Sequence, residues 1–342
     1  MNLSRREFAR LLAGGALSTV LPAEAVEIDH LKQVAKTLSE PHRAGPQVLR
    51  YFTVQLEQHF TADRMLGPRQ LVGPVLAQIE VLERLRRQTR PGTTEAMLRL
   101  LAQYGEFAGW LHQDLGDINA AMHWSDRAVQ WAQAAGDYQM VAYLLVRKSN
   151  IALLDDDPLT VIELAAAARK VPEPISPKLH ALAAQQEARG WALHRNADQF
   201  RRHLDKAATL LRDHPDDLDA TAPVYLHQYN LDTLEEQSAG GFRACGQAET
   251  AVEILERKIA ATPDHLRRDQ GHQLVKLANA LLTTEQPDPE RAAALGVECV
   301  ATAETTGSAR IVKELRALDQ TLSRRWPTLP GTHEVHGALH AA

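Results

Sequence analysis

LLAQYGEFAGWLHQDLGDINAAMHWSDRAVQWAQAAGD, residues 100–137, reads as two helices folded back on each other. Apolar residues recur at three- and four-residue spacing through Leu100–Asp117 and again through Ile118–Asp137, the signature of amphipathic helices. Each stretch ends in a Gly-Asp pair, Gly116-Asp117 and Gly136-Asp137. Glycine supplies the left-handed cap of one helix, and the aspartate is suited to cap the next. A tetratricopeptide repeat resembles G-D-Y-x-x-A-L-x-x-Y-x-x-A-L across its turn and second helix. Gly116, Asp117, Ile118, Ala121, Met122, Ala128 and Val129 occupy those places, with Trp124 one residue off the aromatic position. Ala108 and Gly109 are the small residues expected where the two helices cross, since a bulky side chain there would hold them apart.

The same grammar extends in both directions. YQMVAYLLVRKSNIALL follows and closes at Asp155-Asp156-Asp157-Pro158, a turn in which Pro158 opens the next helix. SPKLHALAAQQEARGWALHRN then pairs with ADQFRRHLDKAATLLRD. A long helix is expected through Tyr225 and Tyr229 to Gly240-Gly241, and further helical segments continue to ARIVKELRALDQTL. Two helices take about 34–40 residues, the period of tetratricopeptide-like hairpins. One hairpin cannot bury its own apolar face, so several must stack. The expected fold is all-α, a tetratricopeptide-like α-solenoid of antiparallel hairpins. Its expected sections are an N-terminal segment (1–25), a helical section (26–92), the repeat array (93–326) and a frayed tail (327–342).

Composition agrees. Aromatics make up only 5% of 342 residues, too few for a large β-sandwich but suited to closely packed helices. The net charge of -5 gives no global basic field for nucleic acid. Cys245 and Cys299 are far apart and lack CxxC partners, which argues against a disulfide or zinc framework. Cys299 is expected to behave as a small buried hydrophobe.

At the N-terminus, Ser4-Arg5-Arg6-Glu7-Phe8 has the look of a twin-arginine export motif, with Ala23-Glu24-Ala25 as a cleavage site. The other reading is an amphipathic helix presenting Phe8, Leu11 and Leu12.

Three runs carry a resemblance: VAYLLVRKSNIAL, QQEARGWAL, and the long stretch from DQGHQLVKLANALL to RALDQTL. Together with LEQHFTADRMLGPRQLVGPVLAQIEVLERL and the closing pattern Ser308, Arg310, Leu315, Leu318, Leu322, they resemble actinobacterial regulators. In that family an Xre-type helix-turn-helix precedes a tetratricopeptide-like region, and the resemblance spans residues 3–326. It implies a role in transcriptional control. No helix-turn-helix is legible ahead of residue 30, so direct nucleic-acid binding is not expected. Members of the family carry an R-R-x-F stretch after their DNA-binding module, which favours the helix reading and a cytoplasmic location over twin-arginine export.

No zinc-protease, Walker, Rossmann or nucleophile-elbow motif is present, so the chain is expected to be no enzyme and to need no cofactor. His333, His336 and His340 have metal-compatible spacing, but three histidines in a tail expected to fray rarely make a site, and no metal site is expected. Asp155–Asp157 and Asp216, Asp217 and Asp219 read as solvated turns. The candidate groove follows the first helix of each hairpin. Gln103, Glu106, Trp110 and Gln113 share one face, continued by Tyr143, Arg147 and Asn150, then by Gln185 and Arg189. Amide, guanidinium and aromatic groups in a stripe suit capture of a peptide or protein partner. The alternatives are a receptor for a small molecule or signal peptide, and an exported scaffold. A homodimer is a further possibility, and no membrane-spanning segment is expected.

Overall fold

The computed structural model describes residues 46–88, 91–215, 222–263 and 265–341. Among the described residues it contains fifteen α-helices, one short 3-10 turn and no strand. The candidate export segment and the Asp216–Asp219 cluster lie outside the described residues.

The chain divides into two units, the first comprising the described part of Met1–His112 together with Asn119–Asp137. It holds α1 (Pro46–Leu66), α2 (Val72–Arg86), most of α3 (Pro91–Asp114) and α4 (Ile118–Ala134). Aromatic side chains join its mainly aliphatic core: Tyr104 is fully buried and donates through its hydroxyl to the Phe52 carbonyl at 2.8 Å. Phe60 and Phe107 pack with ring centroids 4.5 Å apart. The expected crossing of small residues is present. A Cβ on Gly109 would sit 2.9 Å from Ser125 Oγ and 3.2 Å from the Ala121 carbonyl oxygen.

The second unit takes Gln113–Ile118 and everything from Tyr138 onward. Its helices are α5 (Tyr138–Leu154), α6 (Pro158–Ala168), α7 (Pro177–Leu193), α8 (Ala197–Asp213), the single-turn α9 (Val224–Gln228) and α10 (Leu231–Ala244). They continue as α11 (Ala248–Ala261), α12 (Arg267–Leu281), α13 (Pro289–Thr306), α14 (Ala309–Arg325) and α15 (Pro330–Ala341). Helix starts are written locally: Asp157, Ser176, Asn196, Asn230 and Asp288 each accept a backbone N–H three residues on. The Asp155–Asp157 turn therefore also supplies a helix cap, through Asp157.

Within this unit α5, α7, α10, α12 and α14 pack side by side in one row, and α6, α8, α11, α13 and α15 each pack against the row helix they follow in the chain. The first row curls back on itself. Lys313 on α14 reaches the C-terminal end of α5, donating to the Leu154 carbonyl at 2.9 Å and pairing with Asp156 at 2.7 Å. Close approach between α6 and α7 is set by Gly190, where a Cβ would meet Ile162 at 2.7 Å and the Pro158 carbonyl oxygen at 3.2 Å. Gly190→Val is expected to destabilise the protein by about 1–3 kcal/mol through overpacking. Urea denaturation checks this, and an unshifted midpoint would show that α6 and α7 have room to spare.

Two expectations need correction. The single long helix through Tyr225 and Tyr229 is instead α9 and α10, broken at Tyr229-Asn230 because the Asn230 side chain caps α10 through the Thr233 N–H. That helix also runs through Gly240-Gly241 to Ala244. The tail is not frayed: residues 330–341 form α15, with Val335 fully buried and Ala338 and Leu339 packed on the same core. Pro330 opens this helix rather than closing the chain, since proline is tolerated in a first turn. Cys299 is buried as expected, and burial pushes its thiol up to about 12.

Candidate functional site

The first-helix row of the second unit carries polar side chains at helical spacing where a core helix would carry leucine. α5 supplies Arg147 and Asn150, α7 supplies Gln185 and Arg189, and α10 supplies Glu236 and Gln237. α12 supplies His272, Lys276 and Asn279, while α14 supplies Arg310 and Glu314. Tyr225 and Tyr229 enter from α9 and its C-terminal end.

These groups are wired to each other. Arg147 donates to Gln113 Oε1 at 3.0 Å, and Arg189 donates to Asn150 Oδ1 at 2.9 Å and to Gln186 Oε1 at 3.3 Å. Gln185 donates to Gln237 Oε1 at 2.5 Å, and Gln237 in turn donates to the Tyr225 hydroxyl at 2.6 Å. Glu314 accepts from Arg243 at 3.1 Å and from Asn279 at 3.0 Å.

At one edge sits a carboxylate lock. Asp114 is fully buried and accepts from Arg268 at 3.1 Å, Ser308 Oγ at 2.9 Å and Arg310 Nε at 2.9 Å. Burial alone would raise its pKa, but Arg310, Arg268 and the Ser308 hydroxyl outweigh that and hold the carboxyl below its ordinary value. Ser308 and Arg310 belong to the closing sequence pattern, whose Leu315, Leu318 and Leu322 are all fully buried. The pattern thus packs one face of α14 and anchors its N-terminal end to the end of α3.

Positive charge exceeds negative along this face. Arg147, Arg189, Arg243, Arg268, Lys276 and Arg310 stand against Asp114, Glu236 and Glu314. The crowding shows in the titration behaviour. Burial lowers Lys276 to about 8; Glu236 and Glu314 oppose the shift, while Arg189 and Arg310 add to it. Burial likewise lowers Arg189 to about 10, with Arg310 and Arg147 adding to the shift against Tyr225 and Tyr229. His272 is held well below its usual value by burial and then by Lys276, Arg310 and Arg189, so it is neutral at pH 7. Lys276, Arg189 and Arg310 are all largely buried but not sealed from solvent, Arg310 keeping 18% of its side chain exposed. Such a face lowers its own electrostatic energy by taking up an anion.

The expected groove residues divide accordingly. In the second unit, Gln113, Arg147, Asn150 and Arg189 come together in one network, and Gln185 joins the Gln237–Tyr225 chain. Gln113 and Gln185 are buried and Tyr143 is a core residue only 3% exposed, so these three support the face rather than present it. In the first unit, Gln103 and Trp110 are half-buried and Glu106 is buried; the Trp110 indole donates to Asp63 at 3.0 Å. Sequence reasoning missed Lys276, His272, Arg310 and the two tyrosines. The available signal was Lys276 inside the apolar run QLVKLANALL, where a buried helix would not ordinarily place a lone cation.

No family model matches the chain, and no curated protein matches it. Among solved structures it is similar to the Signal Transduction ATPase with Numerous Domains (STAND) protein with a tetratricopeptide repeat sensor from Pyrococcus horikoshii. The TM-score is 0.40 at 10% identity, covering 93% of this chain. The chain spans about half the length of that protein, 53%. This chain is an all-α helical-repeat protein. Among its described residues no helix is long and apolar enough to cross a membrane.

Proposed function

We propose that this helical-repeat protein is a non-enzymatic regulator that binds an acidic peptide or an acidic segment of a protein partner on the first-helix row of its second unit. The observation that carries the reading is the convergence of Arg147, Arg189, Lys276 and Arg310 from α5, α7, α12 and α14 in a chain whose net charge is -5. Guanidinium forks suit carboxylates, and Lys276 adds a point charge. Asn150, Gln237 and Tyr225 add amide and hydroxyl groups of the kind that bind peptide backbones. A role in transcriptional control, through a DNA-binding partner in the cytoplasm, is supported by the sequence resemblance to actinobacterial regulators.

The test uses fluorescein-labelled decapeptides rich in Asp and Glu, compared by anisotropy with the same peptides carrying Asn and Gln. The acidic set is expected to bind more tightly by about tenfold or more, with affinity falling as salt rises. Equal binding of both sets would remove the basis for the proposal.

A further inference from the structure

The C-terminal helix brings two histidines to a carboxylate that lies far from them in sequence. Asp319 is on α14, with its side chain 11% exposed; His336 and His340 are one turn apart on α15. His336 Nδ1 lies 3.2 Å from both carboxylate oxygens of Asp319. The two imidazole rings have centroids 4.2 Å apart. One ligand atom from each of the three residues falls within 4.8 Å of the others.

Two features make this more than an acid-histidine contact. His340 Nδ1 is 2.9 Å from the His336 carbonyl oxygen, and a carbonyl can only accept. Nδ1 therefore carries the proton, and Nε2 keeps its lone pair for a ligand. This is how metal-binding histidines are commonly oriented, with the second ring nitrogen held by a backbone oxygen. The carboxylate is held too, since Ser323 Oγ donates to Asp319 Oδ1 at 3.4 Å. Zinc ligands at about 2.0–2.2 Å in tetrahedral array stand roughly 3.3–3.5 Å from one another. The spacing of His336 and Asp319 is already close to that, and modest rotation of the exposed His340 side chain would bring in the third ligand.

We propose that Asp319, His336 and His340 form a binding site for a divalent transition metal of the zinc class, with a fourth position open to solvent. Imidazole and carboxylate donors select such ions over magnesium or calcium, which prefer all-oxygen shells. An ion held here ties α15 to α14 beside the buried Val335.

Chelator-treated full-length protein is to be titrated with zinc chloride by isothermal calorimetry. The wild type and His333→Ala, an exposed histidine on the same helix outside the cluster, are expected to take up one ion with equal affinity. His340→Ala, whose side chain is exposed so that folding is undisturbed, is expected to bind about tenfold more weakly or worse. Asp319→Asn should do the same, with circular dichroism reporting that it remains folded. Absence of saturable binding in the wild type would overturn the assignment. So would wild-type affinity in His340→Ala, or equal losses in His333→Ala and His340→Ala, which would indicate scattered surface histidines.

Discussion

Asp114→Ala is expected to destabilise the second unit by about 3–5 kcal/mol, the penalty for removing one partner of a buried ion pair. The carboxylate is fully buried and holds Arg268, itself 6% exposed, together with Arg310 and Ser308. Without it Arg268 would be left beside Arg310 in a desolvated pocket, and the anchor at the start of α14 would be lost. A shift of that size corresponds to a melting-temperature drop on the order of 10 °C. Asp114→Asn should lose less, because an amide oxygen can still accept from Ser308. The pH dependence follows from the lowered pKa of Asp114. Its contribution is fully present above the unfolded-state value of about 3.9 and is lost as pH falls through the lower folded value. Wild-type stability is therefore expected to fall below about pH 4 more steeply than that of Asp114→Asn. Urea midpoints across that range are the measurement. A variant as stable as the wild type at pH 7 would mean that the lock adds no net stability to the fold.

Lys276→Met is expected to weaken acidic-peptide binding while raising stability slightly, a pairing that no folding defect would produce. Lys276 titrates near 8 in the folded protein against an ordinary value of 10.5. Between those values the unfolded chain binds more protons, so stability rises with pH, and below about 8 the ammonium is a cost to the fold. Removing it lifts that cost at pH 7. An anionic ligand has the opposite preference, since it needs the charge. Wild-type affinity for the acidic decapeptides is therefore expected to fall by roughly tenfold from pH 7 to pH 9 as the ammonium is lost. Lys276→Met should bind more weakly at pH 7 and vary little over that interval. Adding Arg189→Ala should bring the combined loss to about thirtyfold or more. Anisotropy titrations at three pH values, with thermal melts on the same samples, separate the two effects. Parallel pH curves for the wild type and Lys276→Met would exclude Lys276 from the binding face.

Arg189 shows where a stripe drawn from helical spacing succeeds and where it stops. Spacing placed Arg147, Asn150 and Arg189 on successive first helices, and the side chains do meet, with Arg189 donating to Asn150 at 2.9 Å. Tyr143 and Gln185 fit the same stripe, yet they are 3% and 1% exposed. Helical periodicity gives the azimuth of a side chain on its own helix. It does not say whether a neighbouring helix covers that azimuth.

The sequence by itself determined most of the helices, several of their caps and the small-residue crossings, but neither the break at Tyr229-Asn230 nor the C-terminal helix. These depend on interactions within a few residues: an apolar side chain three or four positions away, an aspartate three residues before an N–H, a glycine free to take positive φ. Gly116, Gly136 and Asp157 are legible for that reason. Only the tertiary structure decided the site chemistry. Asp114 meets Arg268, Ser308 and Arg310 across 154 to 196 residues. His336 and His340 meet a carboxylate on another helix. Such meetings depend on how far each hairpin rotates on the one before it. Small rotations set by side-chain packing accumulate over several hairpins, so a local pattern cannot show that the row closes on itself.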